Sequence, residues 1–81
     1  MRVDKDFTFE GQPKAKVQRA CQQTELVHRV EAGLSRTVKH DDGRWTVKVM
    51  TEAREGDESP DDTERRAELA LEFLKGFVFG S

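Results

Sequence analysis

The stretch RTVKHDDGRWTVKV, residues 36–49, decides the fold because it holds the strongest turn signal in the chain. Asp42 and Gly43 suit the two central positions of a tight hairpin turn, where both residues need a positive φ. Valine and threonine alternate with polar residues on either side of this pair, which is typical of half-buried strands. The stretch therefore predicts a β-hairpin with Asp42-Gly43 at its tip.

This turn also fixes the register of the two strands. It sets Asp41 opposite Arg44, His40 opposite Trp45, Val38 opposite Val47, and Arg36 opposite Val49. A slip of one residue would mix apolar and polar side chains on each face, so the register is well specified. We expect His40 and Trp45 to form a pair on the inner face of the hairpin.

The run His40-Asp41-Asp42 is also a set of potential metal ligands, because proteins bind divalent ions through imidazole and carboxylate groups. Neighbouring strand residues point to opposite faces, however, and Asp42 is needed for the turn. We therefore interpret the run as the polar tip of the hairpin and predict no metal site and no cofactor.

A strand and a long helix precede the hairpin. Val3, Phe7 and Phe9 alternate with charged residues, which predicts a half-buried strand that ends at Gly11. Residues 14–32 then carry an apolar stripe at helical spacing, although an acidic residue, Glu31, falls inside it. Pro13 suits the first helical position and Gly33 the left-handed residue that closes a helix. We expect about five helical turns between these two residues.

An acidic loop and a second helix follow the hairpin. Segment 52–59 is acidic and contains a glycine, which predicts a solvated loop. Ser59 suits the N-cap of a helix and Pro60 its first position. Apolar residues continue at helical spacing to Leu74, and Gly76 is the predicted stop.

The last stretch, FVF at residues 77–79, has two interpretations. It forms a short strand that pairs with the first one, or Phe77 and Phe79 pack against the core. With this strand the element order is β-α-β-β-α-β, which is that of a ferredoxin-like split β-α-β sandwich. Without it the order is β-α-β-β-α. We predict a small single α+β domain over residues 1–81, with two helices on one face of an antiparallel sheet.

The composition of the chain limits the classes of function that it can have. Charged residues make up 37% of the chain, against roughly 25% in average globular proteins, and no apolar run is long enough to span a membrane. The N-terminus lacks the apolar core of a secretory signal and Cys21 is the only cysteine, so we expect a cytoplasmic protein. Residues 12–50 carry eight basic and four acidic residues, and residues 51–81 four basic and nine acidic ones. This asymmetry predicts a dipolar surface.

One triad on the first helix has the spacing of an activated nucleophile. Cys21, Glu25 and His28 occupy positions i, i+4 and i+7, where an imidazole could lower the pKa of the thiol. The motifs of common nucleotide-binding proteins and hydrolases are absent from the sequence. We therefore predict no catalytic residue and keep a thiol- or metal-dependent enzyme as a distant alternative.

The leading hypothesis is a non-enzymatic protein-interaction or regulatory module, an adaptor, inhibitor or assembly subunit that self-associates. Its predicted partner-binding residues are Leu26, Met50, Glu68, Leu69, Glu72 and Phe73. The alternative is RNA or DNA binding through basic side chains of the first helix and the hairpin. Those residues are Lys14, Lys16, Arg19, Lys39, Arg44 and Lys48.

Overall fold

The chain folds as a three-stranded antiparallel sheet with two helices. A computed structural model describes residues 2–36, 39–40, 43–54 and 58–80. Strand β1 spans Arg2–Glu10, helix α1 Lys14–His28, strand β2 Glu31–Leu34, strand β3 Arg44–Glu52 and helix α2 Pro60–Phe79. The strand order is β1-β3-β2. The protein is therefore a small α+β domain with the predicted β-α-β-β-α order, consistent with a ferredoxin-like arrangement.

The core lies between the sheet and the helices. Pairing of Phe7 with Val47 and of Phe9 with Trp45 places all four side chains on the helix-facing side of the sheet. Phe9, Val47 and Leu74 are fully buried. The structure therefore confirms two predictions. Strand β1 is half-buried, and Trp45, Val47 and Val49 face inward.

Helix α1 ends earlier than predicted. It stops at His28, and Arg29 adopts the left-handed conformation with φ 54° while its N–H donates to the Glu25 carbonyl. Gly33 does not close the helix but lies within β2. The reason is burial: after the turn at Arg29, the alternation of extended backbone turns Val30 into the core, where it is 7% exposed.

The predicted hairpin register is wrong. Leu34 pairs with Val47 and Ala32 with Val49, where Val38 and Arg36 were expected. The shift is four residues, an even number, so the inward face of β3 is unaffected. Gly43 does have a positive φ of 82°, but its carbonyl accepts a hydrogen bond of 2.7 Å from the Gly11 N–H and so ties β3 to the end of β1. The paired strand thus ends well before the Asp-Gly signal.

Some residues of the predicted hairpin lie outside the described ranges: Val38, Asp41 and Asp42. His40 is described and is not in a strand, yet its ring lies 5.2 Å from that of Trp45. The predicted contact between these two rings is therefore present without the predicted strand pairing.

Helix α2 begins as predicted and ends later. The Ser59 side chain accepts a hydrogen bond from the Asp62 N–H at 3.2 Å, which confirms the N-cap. The helix continues through Gly76 to Phe79, so the predicted stop at Gly76 is wrong. Of the two interpretations of residues 77–79, the strand is therefore also wrong. Ala70, Leu74 and the fully buried Val78 are spaced four residues apart, and this stripe carries the helix past the glycine.

An ion pair anchors the connection between β3 and α2. Arg66 donates to both carboxylate oxygens of Glu58, at 2.6 Å from Nε and 2.7 Å from Nη2. Arg66 also donates to the carbonyl of Glu52, the last residue of β3. The hydrogen bonds from Arg66 lower the pKa of Glu58 to about 2. Glu58, predicted to be part of a solvated loop, is therefore held against α2.

The sheet has two outer edges, one on β1 and one on β2. Within the described ranges, no strand pairs with either of these edges. No helix in the described part of the chain is long and apolar enough to cross a membrane. The two helices cover one face of the sheet, and no described helix covers the other face.

Candidate partner-binding groove

A groove of about 1090 Å³ lies between α1 and the outer edge of β2. Its walls come from one side of α1, from β2 and the two residues after it, and from three further side chains. The lining residues are Lys14, Gln18, Cys21, Gln22, Glu25, Glu31, Ala32, Gly33, Leu34, Ser35, Arg36, His40, Trp45 and Met50. We call this feature the α1–β2 groove.

The outer edge of β2 presents backbone hydrogen-bonding groups to the groove. The Ser35 N–H donates to the Thr46 carbonyl at 2.8 Å. Because hydrogen-bonded and non-hydrogen-bonded pairs alternate along antiparallel strands, Gly33 also directs its backbone groups toward β3. Ala32 and Leu34 therefore direct their N–H and C=O groups outward, and both residues are half-buried.

One end of the groove is basic and contains the tryptophan. The Lys14 Nζ lies 5.6 Å from the centre of the Trp45 ring, and the Trp45 indole N–H donates to the Gln12 carbonyl at 2.9 Å. His40 packs on the same ring, and its Nε2 is buried without a hydrogen-bond partner among the described residues. Arg36 follows β2 at this end and is exposed. This end of the groove therefore carries positive charge beside the indole ring of Trp45.

The other end of the groove is acidic. Helix α1 leads into β2 through Arg29 and Val30, so Glu25 and Glu31 lie at the end opposite Lys14. Both glutamates are exposed. The helix dipole has the same polarity, because its positive end is at Lys14 and its negative end is beyond Glu25. Charge thus changes sign along the length of the groove.

The nucleophile triad is not assembled. Burial, reinforced by the negative charge of Glu25, raises the pKa of the Cys21 thiol to about 11. The ring of His28 instead packs against Phe73 of α2, with 5.0 Å between centres. A buried thiol with a raised pKa is a poor nucleophile at neutral pH.

Among the described residues, no group of three His, Cys, Asp or Glu side chains is arranged to hold a metal ion. The sequence candidate for such a site was the run from His40 to Asp42. Two of its three members, Asp41 and Asp42, lie outside the described residues.

The predicted partner-binding residues are split between two surfaces. Leu26 and Leu69 are 74% and 55% exposed on the helical layer, where Phe73 contacts His28. Met50 lies instead in the central strand, on the open face of the sheet, and pairs with Asp4 and Glu31 in the flanking strands. Glu68 and Glu72 are exposed on α2, and the Glu72 carboxylate lies 3.1 Å from Lys75. Only Met50 of the six lines the α1–β2 groove.

The six predicted nucleic-acid-binding residues do not form one surface either. Arg44 lies 3.4 Å from Glu10 and Lys48 lies 3.7 Å from Asp4, all on the open face of the sheet. Lys14, Lys16 and Arg19 belong to α1 on the other side, and Lys39 is exposed in the segment between β2 and β3.

The aromatic residues of the sheet give no platform on its open face. Phe7, Phe9 and Trp45 all face the helices. Domains of similar element order stack RNA bases on aromatic side chains of the exposed sheet face. This arrangement does not provide such contacts within the described strands.

Sequence reasoning missed several groove residues, including Gln18, Gln22, Ala32 and Leu34. Ala32 and Leu34 were missed because the predicted strand began at Arg36, whereas the observed strand β2 spans Glu31–Leu34. A signal was present, since Glu31 fell inside the apolar stripe of the predicted helix. Comparisons of this chain with protein-family models, with curated proteins and with solved structures return no match.

Proposed function

We propose that this protein is a non-enzymatic protein-interaction module that binds an extended segment of a partner along the outer edge of β2. The observation that carries this proposal is the outward direction of the Ala32 and Leu34 backbone groups, which open onto the α1–β2 groove. An added strand would hydrogen-bond with these groups, as in other cases of recognition by β-strand addition.

The groove can supply affinity as well as hydrogen bonds. Alternate side chains of an added strand point toward the helix layer, where Leu34 and Trp45 offer apolar surface. The raised pKa of Cys21 supports a binding role for the groove over a nucleophilic one.

The outer edge of β1 is less suited to such binding. The Gly11–Gly43 hydrogen bond fixes the alternation of the β1–β3 ladder, which turns the backbone groups of Asp4, Asp6 and Thr8 outward. Acidic side chains therefore alternate along this edge, and charged residues on an edge strand discourage pairing with another strand.

A single substitution tests strand addition. Replacing Ala32 with proline removes an outward N–H that has no acceptor among the described residues, and proline is tolerated on an edge strand. The matched control is Ala32→Thr, which keeps the N–H and has high strand propensity. Both variants are first checked for native circular dichroism and for cooperative unfolding.

The binding measurement is a selection from a displayed library of random ten-residue peptides. We expect the wild-type protein and Ala32→Thr to enrich extended, β-branched sequences, and we expect Ala32→Pro to enrich none of them. Equal enrichment by a folded Ala32→Pro variant, or no enrichment by the wild type, would contradict strand addition at β2.

A further inference from the structure

The α1–β2 groove is complementary in charge to a second copy of itself. We infer that the strand added at the outer edge of β2 is the β2 strand of another molecule, so that two chains form one six-stranded antiparallel sheet. This inference rests on the proposed function, because it uses the same outward backbone groups of Ala32 and Leu34.

A two-fold axis perpendicular to the sheet at Gly33 produces this pairing. Ala32 of one chain then exchanges hydrogen bonds with Leu34 of its partner, and Leu34 with Ala32. Gly33 has space around it, since a Cβ placed there would meet no atom within 4 Å. Both α1 helices stay on the same face of the extended sheet and run antiparallel across the interface.

The charges along the groove favour this symmetric arrangement. A two-fold axis brings the basic end of one groove, with Lys14 and Arg36, against the acidic end of the other groove, with Glu25 and Glu31. Every attractive contact of this kind occurs twice in the dimer. The same operation at the β1 edge, centred on Asp6, would bring Asp6 against its symmetry mate and leave like charges opposed.

Two reversals of charge on α1 test the arrangement. Lys14→Glu sets a carboxylate against Glu25 of the partner, and Glu25→Lys sets an ammonium group against Lys14. Each reversal suits the helix dipole, because it adds an acid to the first turn or a base to the last turn of α1. Loss of association in either variant therefore does not come from a destabilised helix.

The variant with both substitutions restores the attraction, because each reversed end again meets its opposite in the partner. Molar mass is measured by sedimentation equilibrium over a concentration series up to about 1 mM, the range in which weak association is detectable. We expect the wild type and the double variant to dimerise with similar constants. We expect each single variant to associate about tenfold more weakly or worse, since each reversal counts twice.

Salt gives a second readout. Raising the ionic strength from about 0.05 M to 0.5 M should weaken the wild-type dimer and strengthen association of the single variants, because screening reduces attraction and repulsion alike. A wild type that stays monomeric throughout the series would overturn the dimer, and so would a double variant that associates as weakly as the singles. Either result leaves the peptide selection on Ala32→Pro as a separate test of strand addition.

Discussion

Replacing Gly76 with alanine should make the protein more stable. Gly76 lies inside α2 and is exposed, and a Cβ placed on it would meet no atom within 4 Å. The substitution therefore changes no packing contact, and its effect comes from the backbone. Glycine within a helix destabilises by roughly 0.5–1 kcal/mol relative to alanine, because the unfolded chain has more conformations to lose.

The expected gain in the free energy of unfolding for Gly76→Ala is therefore about 0.5–1 kcal/mol. In a domain of this size, 1 kcal/mol corresponds to a shift of about 4–8 °C in the melting temperature. Urea denaturation followed by the fluorescence of Trp45 measures the first quantity, and thermal circular dichroism measures the second. If the helix ended at Gly76 in a left-handed conformation, alanine would instead cost about 1–2 kcal/mol.

Gly43→Ala is the matched control. Gly43 has a φ of 82°, and a Cβ on it would make only an ordinary contact with the Gly11 nitrogen at 3.6 Å. The strain is thus confined to the backbone, and we expect a loss of about 1 kcal/mol. The two glycine variants should change stability in opposite directions. A Gly76→Ala variant that is less stable than the wild type would refute the continuous α2 helix.

Three further predictions concern the cap, the ion pair and the cysteine. Ser59→Ala should lower the free energy of unfolding by about 0.5–2 kcal/mol in urea, whereas Ser59→Asp keeps an oxygen acceptor for the Asp62 N–H and should lose less. Since the hydrogen bonds from Arg66 lower the pKa of Glu58 from 4.5 to about 2, its contribution to stability is complete above pH 4.5 and is lost as the pH falls toward 2. Glu58→Gln should remove that part of the acid dependence, and an unchanged acid profile would exclude the ion pair as its source. Alkylation of Cys21 by iodoacetamide should be slow at neutral pH, and its rate should still increase above pH 9, because burial raises the pKa of the thiol to about 11. A rate that becomes constant near pH 8.5, the ordinary range for a thiol, would show that the thiol is not buried as described.

The sequence predicts the elements and fold class well because periodicity is a local property. The inward face of β3, with Trp45, Val47 and Val49, follows from alternation alone. The pairing of β3 with β2 does not follow from alternation. A turn signal shows where the chain can reverse its direction, but it does not show which residues pair. Gly43 has the positive φ that its sequence context predicts, yet its carbonyl bonds with Gly11 at the end of β1. The Asp-Gly signal was therefore informative about conformation and misleading about register.

The candidate site could be predicted from the sequence less well than the fold. The α1–β2 groove combines residues of α1 with an edge strand whose position depends on where α1 ends. Helix α1 ends before Arg29, which has a left-handed conformation that glycine or asparagine adopts more readily, so the sequence does not indicate this end. Leu26 and Leu69, two of the predicted partner-binding residues, are exposed, but exposure alone does not define a site.

Helix α2 packs with its C-terminal end on the helix-facing side of β1. Its last turn brings Phe79 to ring-centre distances of 5.3 Å from Phe9 and 6.3 Å from Phe7, and Lys75 Nζ lies 4.8 Å from the Phe7 ring. These contacts cover the apolar side of β1 without a fourth strand, and no described strand pairs with the acidic outer edge of β1. In a dimer that pairs two β2 edges, the edge suited to strand addition would be buried in each copy. The remaining β1 edges carry like charges, so such an assembly would stop at two chains and not grow into a fibre.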